Sequence, residues 1–239
     1  MVLPIVYAPS VNLGISKALI VNLAEMNYES HLDNEPLELN FIFVNSGNIP
    51  FKSRGRLDIF DGTRKIFTGW SEETILRTGQ IRRIPIYWFP YSTEGKFRGV
   101  LKIYYGTEVM EGGEFEFEVV NTEIPEKIIN ITKLRTYDNE MVLTLSSHKH
   151  LEDVIIIPVD YPPGWFFEQK GIGKLNGSKK IELIYEPSFW EPGNEIKFQV
   201  VTKDGKYYGE KTFKIEKEGI LSRFIYYSSK RIERFFKNL

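Results

Sequence analysis

Glu114-Phe115-Glu116-Phe117-Glu118-Val119 alternates acidic and apolar residues without a break. A period of two suits a half-buried antiparallel strand and no helix. The same texture returns in Leu37–Val44, Gly99–Gly106, Met141–Leu145, Val154–Ile157, Lys180–Tyr185, Glu195–Val200 and Lys211–Ile215. Arg83–Trp88 keeps the alternation but contains Pro85, which cannot donate to a ladder and so predicts an edge strand or a bulge. Helical periodicity is missing between these runs, which argues against parallel βαβ units. The expected class is all-β, with antiparallel sandwiches.

Composition removes several functions. The chain has 239 residues, no cysteine and a formal net charge of −1. Disulfides and thiolate chemistry are therefore absent, and no global field recruits nucleic acid. No apolar run reaches the roughly 18 residues that a membrane-spanning helix needs. Val2–Ala8 fits a first edge strand or loose terminus, or else the tail of an export signal. The first reading is preferred, because no basic region precedes the stretch and Pro9 would hinder cleavage.

Two echoes point to tandem organisation. Thr78-Gly79-Gln80-Ile81 resembles Pro192-Gly193-Asn194-Glu195-Ile196, and Glu94-Gly95-Lys96-Phe97 resembles Asp204-Gly205-Lys206-Tyr207. Shared turn chemistry would produce similar echoes in any β-protein. With a seam at the polar, Pro-containing Asn121–Lys127, the chain divides into a first sandwich over 1–121 and a second over 122–218.

The final segment, 219–239, breaks the pattern. Ile220, Leu221, Phe224, Ile225, Ile232, Phe235, Phe236 and Leu239 fall near a helical period. This segment carries five basic side chains and one acid, a net +4; since the whole chain is −1, residues 1–218 carry −5. A basic amphipathic helix thus follows an acidic β-body. Its apolar face requires a cover, which the own sandwich, a protein partner or an anionic membrane could supply. The charge split favours the own sandwich. Phe224, Ile225, Arg231, Arg234, Phe235 and Phe236 are the expected contact residues.

Motifs with chemistry are scarce. His148-Lys149-His150 places two imidazoles two residues apart, but no third ligand stands at a recognisable spacing; a surface turn is expected there. No nucleophile elbow, zinc-helix motif or phosphate-cradling glycine loop occurs, so neither a cofactor nor a catalytic residue is expected. Trp165 and Trp190 sit near Gly and Pro, where exposed rings could stack on sugars, although a sandwich core is the commoner place for Trp88 and Trp165. Two N-glycosylation sequons begin at Asn130 and Asn176, and Asn176-Gly177 is also a hairpin-turn signal.

Asn45-Ser46-Gly47-Asn48-Ile49-Pro50, followed by Gly55–Ile59 and the Asp61-Gly62 turn, resembles the tandem immunoglobulin- or fibronectin-III-like modules of prokaryotic cell-surface, adhesion-related proteins. The resemblance covers about residues 15–120 well and 127–216 loosely. It implies that the turn connects a core strand across the sandwich, with Gly47 at positive φ and Asn48 bonding its own backbone. It supplies no catalytic residues. The expected function is a non-enzymatic structural or protein-interaction module, extracytoplasmic or surface-associated. The alternatives are a carbohydrate-binding module that uses Trp165 and Trp190, and a catalytic domain of unrecognised type.

Overall fold

A computed structural model describes residues 16–26, 31–32, 35–91, 93–120, 124–188 and 193–237. The export-signal reading of Val2–Ala8, Thr122 in the seam, and Trp190 all lie outside the described residues.

The first sandwich is built from β1 (Leu19–Met26), β2 (His31–Leu32), β3 (Leu37–Asn45), β4 (Phe51–Asp61), β5 (Arg64–Trp70), β6 (Thr74–Leu76), β7 (Ile81–Trp88), β8 (Gly95–Tyr105) and β9 (Glu108–Val119). One sheet has the order β1-β3-β7 and the facing sheet β2-β9-β8-β4-β5, with β6 beside β4. This division of strands is immunoglobulin-like. Pro85 lies on β7, an edge strand, as its missing N–H requires. Leu37, Leu39, Phe41 and Phe43 of β3 point inward against Leu57, Ile59, Leu101 and Ile103. Trp88 is core, with its ring edge-on to Phe97 at 5.4 Å and Phe117 at 5.6 Å.

The second sandwich uses β10 (Glu126–Lys127), β11 (Asn130–Thr136), β12 (Glu140–Val159), β13 (Phe166–Phe167), β14 (Lys170–Glu186), β15 (Glu195–Thr202) and β16 (Tyr207–Lys214). Two of these strands serve both layers. Glu140–Ser147 of β12 pairs with β11 and with the second half of β14, whereas Val154–Val159 pairs with β15, and Val154–Ile156 with the start of β14. The stretches Met141–Leu145 and Val154–Ile157 are therefore one bent strand. The bend is marked by register shifts after Ser147 and by Asp153 at φ 48°. His148 and His150 sit in this bend rather than in a surface turn, with His150 3.6 Å from Glu152. Asn176-Gly177 is likewise no hairpin turn: it lies inside β14, where Gly177 at φ 66° pairs with Ser147 as the strand changes layers.

With the two long strands split at their bends, the halves share a pairing scheme: a smaller layer (β1-β3-β7; β11-β12-β14-β13) faces a larger one. The turn echoes follow it only in part. Thr78–Ile81 leads into β7 of the smaller layer, whereas Gly193–Ile196 leads into β15 of the larger one; Glu94–Phe97 and Asp204–Tyr207 lead into β8 and β16, both in larger layers. Common turn chemistry accounts for the first echo.

The two sandwiches share apolar packing. Ile155, Ile157 and Val159, on the outer face of β12, join the first sandwich's core together with Val201 and Tyr208. Tyr208 stacks on Tyr91 at 4.6 Å. Gln169 completes the free edge of β7: its side-chain amide donates to Tyr87 O at 2.7 Å and accepts from Tyr87 N at 2.6 Å. Trp70 Nε1 donates to Trp165 O at 3.2 Å, and Arg54 pairs with Glu186 at 2.8 Å.

The Asn45–Pro50 turn carries the chain from one layer to the other. Asn45 is fully buried; its Nδ2 donates to Ile49 O and Leu76 O, and its Oδ1 accepts from Gly47 N. One detail of the resemblance is corrected. Gly47 is not at positive φ; it is required because a Cβ would collide with Ser16 O and stand 2.7 Å from Ala18 N. Asn48 bonds the backbone of Ser16, with Oδ1 accepting from Ser16 N at 2.7 Å and its N–H donating to Ser16 O at 3.0 Å. The turn therefore clamps the segment entering β1.

Asn45→Ala strands buried groups and should cost about 1–3 kcal/mol, and Gly47→Ala about as much through overpacking; denaturant unfolding measures both. A protease site engineered into 121–125 tests the shared packing. Cleavage should leave two halves that co-elute in gel filtration, and Gln169→Ala combined with Tyr208→Ala should loosen them.

Candidate interaction surface

After β16 the chain turns back onto the second sandwich. Thr136 and Lys217 form a parallel bridge and Glu218 N donates to Thr136 O at 2.8 Å, which aims the following residues across the sheet. α1 (Ile220–Lys237) starts there, about 27 Å long at 1.5 Å per residue.

The side of α1 against the sheet is polar and aromatic. Tyr226 stacks flat on the buried ring of Tyr137, centroids 3.8 Å apart and planes 8° from parallel. Lys230 Nζ donates to Glu140 at 2.6 Å and lies 2.9 Å from Glu182. The Tyr226 hydroxyl is 2.9 Å from the Glu140 carboxylate and 3.1 Å from Glu182. Arg223 pairs with Asp138 at 2.7 Å, and the Tyr227 hydroxyl accepts from Asp138 N. Burial disfavours the Lys230 ammonium, but the two carboxylates outweigh it and its pKa is raised. Burial likewise opposes the Glu182 carboxylate, yet hydrogen bonds from Lys230 and Tyr226 bring its pKa below the ordinary value. The Tyr226 phenol is pushed up, first by burial and then by Glu140.

The apolar side faces solvent. Ile220, Leu221, Phe224, Ile225, Ile232, Phe235 and Phe236 are between 58% and 80% exposed. At 100° per residue these seven fall within an arc of about 160°, while Arg223, Tyr226, Tyr227 and Lys230 occupy the opposite side. The expected burial of Phe224, Phe235 and Phe236 on the own sandwich is therefore corrected: the helix lies on its own body through the other face. Alternation along the strands gives the reason. The outer face of β12 and β14 beneath the helix presents Glu140, Thr144, Lys180 and Glu182 with Val142 and Ile184 between them, so charge partners outnumber apolar contacts there. Full burial would gain about 1.5–3 kcal/mol for each large apolar side chain, and the helix leaves that gain unrealised. Tyr137, Tyr226 and Glu140 were not singled out from the sequence; Tyr226-Tyr227 interrupting the apolar helical pattern was the available signal.

Other candidates are weaker. Trp165 is 1% exposed, packed on Phe167 and Tyr185, so it has no face for a sugar. No group of three or more metal-ligating side chains occurs among the described residues. A cleft of about 610 Å³ between the sandwiches is lined by Arg64, Lys65, Tyr91, Asp160, Tyr161 and Lys197. Its cations already have carboxylate partners: Arg64 with Asp61, Lys65 with Asp58, Lys197 with Glu210. No described helix is long and apolar enough to cross a membrane.

No protein-family model matches the chain. No curated protein matches it in sequence. Among solved structures, the YadV chaperone is 9% identical over 82% of this chain and 99% of its own, with a TM-score of 0.26. The N-terminal periplasmic domain of ScsB from Proteus mirabilis is 11% identical over 77% of this chain and 89% of its own, TM-score 0.33. The FN1–FN3 domains of chicken CNTN1 are 11% identical over 78% of this chain and 62% of their own, TM-score 0.25. Similarity at this level carries no argument about function.

The paired charges define a pH window for helix docking. Glu182 is lowered from 4.5, so its contribution is complete above that value and fades as pH falls through its folded pKa. Lys230 is raised from 10.5, so its contribution is complete below that value and is lost as pH rises through its folded pKa. Hydrogen-exchange protection of the α1 amides should be level inside this window and fall on both sides. Tyr226→Ala should lower it throughout.

Proposed function

We propose that the protein is a non-enzymatic structural or interaction module, extracytoplasmic or surface-associated, with two sandwiches over 1–121 and 122–218 that hold the helix of 219–239 as a contact element. The observation that carries this reading is the orientation of α1: its polar side is spent on Tyr137, Asp138, Glu140 and Glu182, and its apolar side is presented outward. An exposed, contiguous apolar face on a folded body marks an interaction site. The resemblance of Asn45–Gly62 to cell-surface modules supports the location. The non-enzymatic reading rests on the lack of any mechanistic motif in the sequence and on a cleft whose cations already have carboxylate partners.

Phe224→Asp with Phe235→Asp tests the reading. Both residues are exposed, so thermal unfolding should stay within about 0.5 kcal/mol of the parent. A photo-crosslinking residue at position 236 should give an adduct in cells expressing the parent and none with the double variant. Identical behaviour of the two proteins would overturn the proposal, and turnover in a broad hydrolase screen would overturn its non-enzymatic part.

A further inference from the structure

Resting on that reading, we propose that the outward face of α1 lies on an anionic lipid surface, inserting Phe224, Phe235 and Phe236 at the headgroup boundary. Charge complementarity selects this occupant. The acids on the sheet under the helix, Asp138, Glu140 and Glu182, are all consumed by Arg223 and Lys230. Five exposed cations remain: Arg231 and Arg234 along one margin of the apolar arc, and Lys133, Arg135 and Lys180 on the same sheet face, where Arg135 neighbours Val142 and Glu182 across the ladders. No carboxylate partner is found for any of the five among the described residues. The unpaired acids close by are fewer: Glu216 and Glu218 before the helix, and Glu233 on its far margin.

The helix body is about 10 Å thick, so the sheet cations stand within about one Debye length of a surface touching its outer side. Such an arrangement, with a strongly polar face, a low mean hydropathy and large apolar side chains opposite, is how interfacial helices bind anionic bilayers. The alternatives fit less well. A second copy would bring a second set of unpaired cations to the same interface. A protein partner would need an acid-rimmed groove to receive a convex helix. The lipid surface needs only negative charge and acyl chains.

Flotation with phosphatidylcholine vesicles, with and without one-third phosphatidylglycerol, tests the proposal on the full chain. Wild-type protein should float with the anionic vesicles and bind at least about tenfold more weakly to the neutral ones. Phe224→Asp with Phe235→Asp should abolish binding. Arg231→Glu with Arg234→Glu, and separately Arg135→Glu with Lys180→Glu, should weaken it about tenfold, as should high salt. Thermal unfolding of every variant provides the folding control. No flotation with either vesicle overturns the lipid inference, as does binding that ignores charge and salt. A concentration-dependent dimer that is lost in the Phe224→Asp variant would overturn it in favour of a second copy. If vesicles fail but a protein adduct forms from position 236 and disappears with Phe224→Asp and Phe235→Asp, the lipid inference falls and the interaction reading stands. If neither vesicle binding nor an adduct is seen, both fall.

Discussion

The second half of β12 must be buried on both faces, and much of the molecule's organisation depends on that constraint. Val154 and Ile156 point into the second sandwich, while Ile155, Ile157 and Val159 point out of it into the core of the first. A strand apolar on both sides cannot face water on either, so the two sandwiches are joined by packing as well as by the chain between them. Gln169 and Trp70 then satisfy backbone groups along the contact that apolar packing alone would leave unpaired. The cost of an open edge at β7 is avoided by a side chain that imitates a neighbouring strand.

The first half of the same strand has the opposite character. Glu140 and Thr144 lie outward beside Lys180 and Glu182 of β14, so this layer ends in a polar surface. One bend therefore gives β12 an apolar outer face toward the first sandwich and a polar outer face toward the helix. The helix responds by turning its tyrosines and Lys230 inward. Its phenylalanines go outward because that sheet face offers mainly charged partners, with Val142 and Ile184 as its apolar residues on β12 and β14. The exposed stripe is thus a consequence of strand alternation in another part of the chain, not of any property of the helix itself.

Much of the fold could be read in the sequence. Alternation identified the strands, Pro85 identified an edge, and the period change after Gly219 identified the helix, because each depends on local geometry alone. The bends were missed. Asn176-Gly177 has hairpin chemistry, yet it serves a layer change, since the strands on either side continue into β12's two halves. Gly47 was correctly marked as obligatory for the wrong reason: close approach of residues 16–18 is a tertiary fact that no local rule reports. Val154–Ile157, grouped above with the alternating runs, is in fact an unalternated apolar run, the signature of burial on two faces.

For the candidate site, the sequence determined that a basic amphipathic helix follows an acidic body, and which residues form its apolar stripe. It also determined that charge would draw the two together, because that follows from composition. Which side of the helix meets the body was decided only by tertiary structure. The outcome depends on the chemistry of the sheet face that β16 delivers the helix onto, and that face is assembled from β12 and β14, more than 30 residues away. Short-range periodicity specifies the helix; long-range pairing specifies what remains for it to bind.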